Sequence, residues 1–376
     1  MAQNVLRLRV LSCVAAILVL TACGSTSTAT HQSPLASPSP SASVSAGSSP
    51  VASASAQPSP SSAPITPYGV LVTQGNTDTY TVTLVGADGK IVASATPSSP
   101  TQMTCGDAAA APLPLPVSTS DTRVYFLDAQ GNVSFLTPNG ETGVATRVPA
   151  GGQTRSMFAV SPDDHRIAVI EDTYTATGAT TLLYVEDLNG GANHVKLFSE
   201  TGAYTLWPIG WHGENNLVVA KVPSCTQGGG PTCCGPQELH VVDPATGVRR
   251  FTLGGPTCIP VGSSSPGGVL CENSDFTQAK VLSWTGATLE SVSIQGPTPA
   301  YLSPDGVAIA LDTQSQTTFA NAKQTLDLVA CGWIDATHVI AGGDTQQQAR
   351  VGDITSGNIV PVAAQGTCGG RIPGGL

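Results

Sequence analysis

The sequence predicts an all-β fold, a β-propeller of seven four-stranded blades, preceded by a signal peptide and a disordered linker. Three observations predict it. An inner hairpin recurs along the chain as an apolar strand, a polar turn and a second apolar strand. An outer hairpin follows most copies, turning on Asp or Gly, residues that tolerate the positive φ of tight turns. The chain has 41 Gly and 29 Pro among 376 residues, and only 11% are charged, a composition that favours strands and turns over helices.

Taken in order, the units fall at 67–97, 113–149, 155–200, 204–252, 256–295, 298–328 and 329–366. The first shows the outer hairpin "LVGADGKIVAS". The second pairs "LPVSTSDTRVYFLD" with "FLDAQGNVSFL", and the third pairs "FAVSPDDHRIAVIED" with "YVEDLNGGANHVKLF". The fourth carries "PIGWHGENNLVVAKV" and "VVDPATGVRRF"; the fifth has a poorer inner copy, "CIPVGSSSPGGVLCEN", before "SWTGATLESVSI". The sixth, "YLSPDGVAIALDT", is compressed, with its outer hairpin placed near Asn321. The seventh joins "CGWIDATHVIAGGD" to "GDITSGNIVPV". Single cores stop growing at about 250–300 residues, whereas units repeated around a ring bury their faces on their neighbours and leave short edges. Two β-sandwiches sharing generic hairpins are the alternative.

The chain begins with Arg7 and Arg9, then an apolar run from Val10 to Leu20. That run is too short to span roughly 30 Å of hydrocarbon and reads as a secretory signal over 1–22. Residues 23–66 are almost all Ser, Ala, Pro and Thr after Cys23, without Asp, Glu, Lys or Arg. Such a segment buries too little to offset its ordering entropy and stays disordered. As a tether it reaches roughly 35 Å coiled or about 130 Å extended. The propeller domain then covers 67–376. Without Arg7 and Arg9 the formal charge is 13 minus 25, or −12, which argues against nucleic acid and anionic bilayer faces as partners.

Leu20-Thr21-Ala22-Cys23 resembles the lipobox of bacterial lipoproteins. The resemblance implies a diacylglyceryl group on Cys23, cleavage before it, and an extracytoplasmic location anchored in the cell membrane. Gly24 after the cysteine leaves the outer membrane open where the host has one. Residues 156–191, above all Ser161-Pro162-Asp163-Asp164 and the matching Ser303-Pro304-Asp305-Gly306, resemble TolB-type and WD40-like propeller repeats. The "VVDPATGVRRF" copy also resembles pyrroloquinoline-quinone propellers, but Phe251 stands where most of their blades carry Trp.

Cys105, Cys225, Cys233, Cys234, Cys258, Cys271, Cys331 and Cys368 make an even set in an exported chain and predict disulfides. Cys258–Cys271 is expected as a local pair, and Cys225 with Cys233 or Cys234 closes the loop "CTQGGGPTCC". Cys368 is left between Cys331 and Cys105. The spacing matches no zinc knuckle, so neither a metal nor a cofactor is expected.

No Gly-x-Ser-x-Gly, His-Glu-x-x-His, phosphate-binding or calcium loop occurs. The residues nominated for a ligand-binding face are Asp163, Trp211, His212, Asp305 and Asp335. All lie at or beside inner-hairpin turns, where polar groups from different blades would ring one mouth. Trp211 and Trp207 flank Pro208-Ile209-Gly210, and Trp333 holds a matching place in the last unit; such rings pack between blades or stack on a sugar or peptide. The function expected is non-catalytic binding or scaffolding of a protein or glycan. The alternatives are a hydrolase of glycans or peptides using the turn carboxylates, and a docking subunit of an envelope complex.

Overall fold

The computed structural model describes residues 66–74, 78–105, 111–175, 178–226, 235–313 and 315–376. Cys23 and almost all of the tether lie outside them, as do Cys233 and Cys234. Blade 1 contains β1 (Tyr68–Gln74), β2 (Tyr80–Gly86) and β3 (Ile91–Ala95). Blade 2 contains β4 (Val117–Thr119), β5 (Val124–Leu127), β6 (Asn132–Leu136) and β7 (Thr142–Arg147). Blade 3 is β8 (Thr154–Val160), β9 (Arg166–Tyr174), β10 (Ala179–Asp187) and β11 (Val195–Gly202). Blade 4 is β12 (Tyr204–Trp211), β13 (Leu217–Pro223), β14 (Glu238–Val242) and β15 (Arg249–Gly254). Blade 5 runs through β16 (Ile259–Pro260), β17 (Val269–Glu272), β18 (Gln278–Leu282) and β19 (Thr288–Ser293). Blade 6 runs through β20 (Ala300–Leu302), β21 (Ile309–Asp312), β22 (Thr317–Ala320) and β23 (Thr325–Leu326). Blade 7 comprises β24 (Gly332–Trp333), β25 (His338–Ala341), β26 (Arg350–Asp353) and β27 (Ile359–Pro361), and β28 (Thr367–Ile372) follows.

Each blade is a four-stranded antiparallel sheet, and the first strand of blades 2 to 7 lies innermost. Blade 1 differs: its order is β28-β1-β2-β3, so its innermost strand comes from the far end of the sequence. The sequence reading assigns 67–97 a full unit and ends the last unit at 366. The structure instead leaves three strands in 68–95 and closes the ring with 367–372. This pairing spans the whole domain, and "TCGGRI" is too glycine-rich to show a strand pattern, so no local signal announces it.

The burial pattern follows from the ring. Second strands such as β5 and β17 are buried at every position, because both faces are covered by neighbouring blades. Outermost strands such as β7 and β11 have no fully buried position and are largely exposed. Among the described residues an apolar cluster fills each of the seven blade boundaries, from Val82 with Phe126 between blades 1 and 2 to Leu71 with Ile340 between blades 7 and 1. The two best turn copies also match in backbone: Asp164 (φ 62°) and Gly306 (φ 75°) occupy the same place with positive φ. The Ser161 and Ser303 hydroxyls donate to Asp163 and Asp305 at 2.5 and 2.6 Å.

Three disulfides join described cysteines. Cys258–Cys271 lies within blade 5, and Cys331–Cys368 locks blade 7 to β28 at the ring seam. Cys225 bonds to Cys105, 120 residues away, rather than to the Cys233 or Cys234 expected. The reason is the long connection from blade 1 to blade 2, which brings Met103 and Cys105 against Tyr174, Ala179 and Cys225. Disulfides persist in oxidising compartments, and these three point to an extracytoplasmic protein.

Buried acids hold successive blades together. Asp172, at the end of β9, accepts from Thr181 at 2.6 Å and from Thr205 of the next blade at 2.5 Å. Asp312, at the end of β21, accepts from Thr317 at 2.5 Å and from the Ala330 amide ahead of blade 7 at 3.2 Å. Glu272, at the end of β17, takes the Thr298 amide ahead of blade 6 at 3.2 Å. Burial pushes the pKa values of Asp172 and Asp312 up to about 6, against the pull of their donors. For such a group the folded state favours the protonated form. Its contribution is therefore complete below the ordinary carboxylate pKa, declines as pH rises toward 6 and is level above. We predict that between about pH 4 and pH 7 the wild type loses roughly 3 kcal/mol relative to Asp312→Asn, the equivalent of the rise from 3.8 to about 6. Urea denaturation of both proteins at a series of pH values measures that difference.

Candidate functional site

The seven inner strands surround a cavity of about 360 Å³ on the ring axis. Val117, Phe158, Trp207, Tyr301, Trp333 and Gly370 each represent a different blade in its wall. At one end lie the inner-hairpin turns, and these touch across blades. The Asp121 amide donates to Pro162 O at 3.0 Å, Ser265 Oγ to Ser303 O at 2.7 Å, and Arg166 Nη2 to Glu214 O. Turns of neighbouring blades therefore meet along this rim at the 2–3, 3–4 and 5–6 boundaries.

The residues after β28 cross this rim. Gly374 N donates to Ser120 O and Leu376 N to Trp211 O, both at 2.8 Å. His212 Nδ1 meets Leu376 O at 2.5 Å, and its ring stacks on Trp284 with centroids 5.0 Å apart. Leu376, like Trp207 and Ile209, packs against the core between blades 4 and 5, and a Cβ at Gly210 would come within 2.9 Å of its side chain.

Asp163, Asp305 and Asp335 all stand on the rim, in blades 3, 6 and 7, and each is engaged by its own turn. Asp163 takes the Ser161 hydroxyl and the His165 amide, with the His165 ring at 3.0 Å. Burial works against its ionisation, but the Ser161 and His165 donors outweigh it and hold its pKa below the usual range. Asp335 takes the amides of Thr337 and His338 at 2.7 and 2.8 Å and the His338 ring at 3.0 Å. Its pKa is lowered in the same way, burial being outweighed by the Thr337 and His338 donors. Asp305 takes the Ser303 hydroxyl and the Val307 amide. Among the described residues no group of three or more His, Cys, Asp and Glu is placed to hold a metal.

Trp211 is buried rather than surface-exposed. It is 1% exposed, donates from Nε1 to Ala159 O of blade 3 at 3.1 Å, and lies under the Arg166 guanidinium. Trp333 repeats the device, donating to Tyr301 O of blade 6 at 3.0 Å. A Trp at the end of an inner strand thus ties its blade to the preceding one, and Trp211 does not belong to an accessible face.

Sequence reasoning passed over Arg371. Among the described residues it is the one charged side chain lining the axial cavity, on β28, and it donates to Gly375 O at 3.4 Å. Burial lowers its pKa, opposed by Asp121 and Asp335 nearby. An arginine inside the glycine-rich stretch "CGGRIPGG" was the available signal.

No family model matches this chain, and no curated protein does. Several solved structures overlay on it. A chain of the mitotic checkpoint complex does so with a TM-score of 0.44 and 13% identity, over 73% of this chain and 83% of that one. The putative TolB from Agrobacterium tumefaciens gives 0.37 and 14%, over 67% and 82%. BamB from Moraxella catarrhalis gives 0.35 and 12%, over 73% and 78%. These overlays are too distant to carry a substrate, partner or location to this chain.

Proposed function

We propose that the protein is a lipid-anchored, extracytoplasmic propeller that binds a protein or glycan of the cell envelope through its turn rim, without catalysing a reaction. The observation that carries this reading is the closed seven-bladed ring, which gathers Asp121, Asp163, Asp164, Glu214, Asp305 and Asp335 around one mouth. Asp163, Asp305 and Asp335 cap their own turns, an arrangement that serves recognition better than a paired acid and base. With a formal charge of −10 over the whole sequence, the rim favours a partner of opposite charge. Leu20-Thr21-Ala22-Cys23 supports lipidation of Cys23, and two acyl chains give stable anchoring where one is marginal.

Cys23→Ser is expected to move the protein from the membrane to the exported soluble fraction. Crosslinking in intact envelopes should capture a partner with the wild type, less of it as salt rises. Capture should fall severalfold when Asp163, Asp305 and Asp335 are all changed to Asn, which keeps an acceptor for each turn. Undiminished capture by the triple variant removes the rim from the reading. Hydrolysis of glycans or peptides by the purified wild type, lost in Asp305→Asn or Asp335→Asn, replaces it with the hydrolase alternative.

A further inference from the structure

Arg155 is a buried cation with no anion beside it among the described residues. It is the second residue of β8 and is 7% exposed. Among the described residues its one acceptor is Thr101 O, 3.5 Å from Nη1, beyond the usual range of a hydrogen bond. Its Nε is fully buried with no acceptor. Asp172 faces it across the β8–β9 pair but gives its oxygens to Thr181, Thr205 and Tyr174. No described carboxylate forms an ion pair with the guanidinium. The phenols of Tyr80 and Tyr174 lie near it, and burial keeps both protonated and therefore neutral. Removing a cation from water without an anion beside it is costly. The cost falls if an anion arrives.

Arg155 lines a void of about 30 Å³ whose other walls are almost entirely apolar, among them Pro116, Leu127 and Met157. Pro114, Leu115, Val117, Phe158 and Pro208 line both this void and the axial cavity, so the two adjoin. The void suits a planar two-oxygen group, which a guanidinium holds with paired donors; it is small for a tetrahedral phosphate or sulfate. The axial cavity of about 360 Å³ beyond it is within the usual size of ligand sites. Trp207, Ile209, Leu302 and Trp333 offer it apolar wall.

We propose that the ring binds a slender apolar carboxylate of medium chain length, its carboxylate on Arg155 and its hydrocarbon body along the ring axis. This inference goes beyond the partner-binding reading and does not depend on it, since neither Cys23 nor the rim carboxylates take part.

Calorimetry on the full chain, with disulfides intact, tests it using decanoate and the neutral decanol as probes. The wild type is expected to bind decanoate at least about tenfold more tightly than decanol, the advantage of a charge-assisted pair. Arg155→Met, close in shape but uncharged, should weaken decanoate by at least about tenfold and leave decanol unchanged. Arg155→Lys keeps the charge without the planar fork and should weaken decanoate less than Arg155→Met. Failure of the wild type to bind decanoate, equal binding of the two probes, or undiminished decanoate binding by Arg155→Met each overturns the proposal. If Arg155→Met does not fold, the comparison of the two probes on the wild type and on Arg155→Lys still decides it.

Discussion

A chain lacking residues 367–376 is expected to lose its cooperative unfolding transition. The truncation removes the innermost strand of blade 1, whose ladder pairs Tyr68 with Ile372, Gly69 with Arg371 and Val72 with Thr367. It exposes one edge of β1, where Val70 is fully buried and Val72 is 2% exposed, and deletes Ile372, also fully buried. It also removes the Cys331–Cys368 bridge. A crosslink between residues 37 apart contributes about 4 kcal/mol by restricting the unfolded chain. With the β28 ladder and its buried Ile372 lost as well, these terms together approach the roughly 5–15 kcal/mol that typically holds a domain folded, and the bared edge of β1 is left unpaired. Guanidinium denaturation followed by near-ultraviolet circular dichroism and limited proteolysis measure the effect. The paired change Cys331→Ser and Cys368→Ser keeps β28 and should still unfold cooperatively, at a lower midpoint. A truncated chain with a wild-type transition would mean that β28 does not close the ring.

Trp211→Ala is expected to cost about 4 kcal/mol, the usual range for deleting a large buried aromatic side chain. The ring fills the boundary between blades 3 and 4, among Met157, Leu206 and Leu217, and its loss also leaves Ala159 O without its indole donor. Trp211→Phe restores most of the volume but not the N–H and should cost less. The midpoint of urea denaturation orders the three proteins. A ligand-face tryptophan would show the opposite, unchanged stability with altered binding.

Much of the fold was legible because its signals are local. A period-two apolar pattern broken by Ser-Pro-Asp and Asp-Gly turns defines each hairpin within a dozen residues, and the boundaries of blades 2 to 7 follow from it. The outer hairpin near Asn321 is present, with Asn321 at φ 68° between β22 and β23. Cys258 and Cys271 lie on adjoining segments of one hairpin, so their pairing was also readable. Cys105 and Cys225 come together by the course of the long connection between blades 1 and 2, which no spacing encodes.

The candidate site was legible in outline. Turn residues were recognisable as turn residues, and a ring places them on one rim. Which of them remain accessible depends on packing, and Trp211 and His212, adjacent in sequence, diverge there. One is sealed between two blades, and the other stacks on Trp284 under the end of the chain.

Hydrophobic alternation and turn chemistry, both short-range, determined by sequence alone that this chain would make small twisted sheets in series, and how many. Tertiary structure alone decided which strand closes the circle, which distant cysteines meet, that Arg371 lines the axial cavity and that Arg155 is buried beside the small void next to it. Those outcomes depend on atoms brought together across hundreds of residues, where the free energy comes from a shared interior rather than from any stretch of chain.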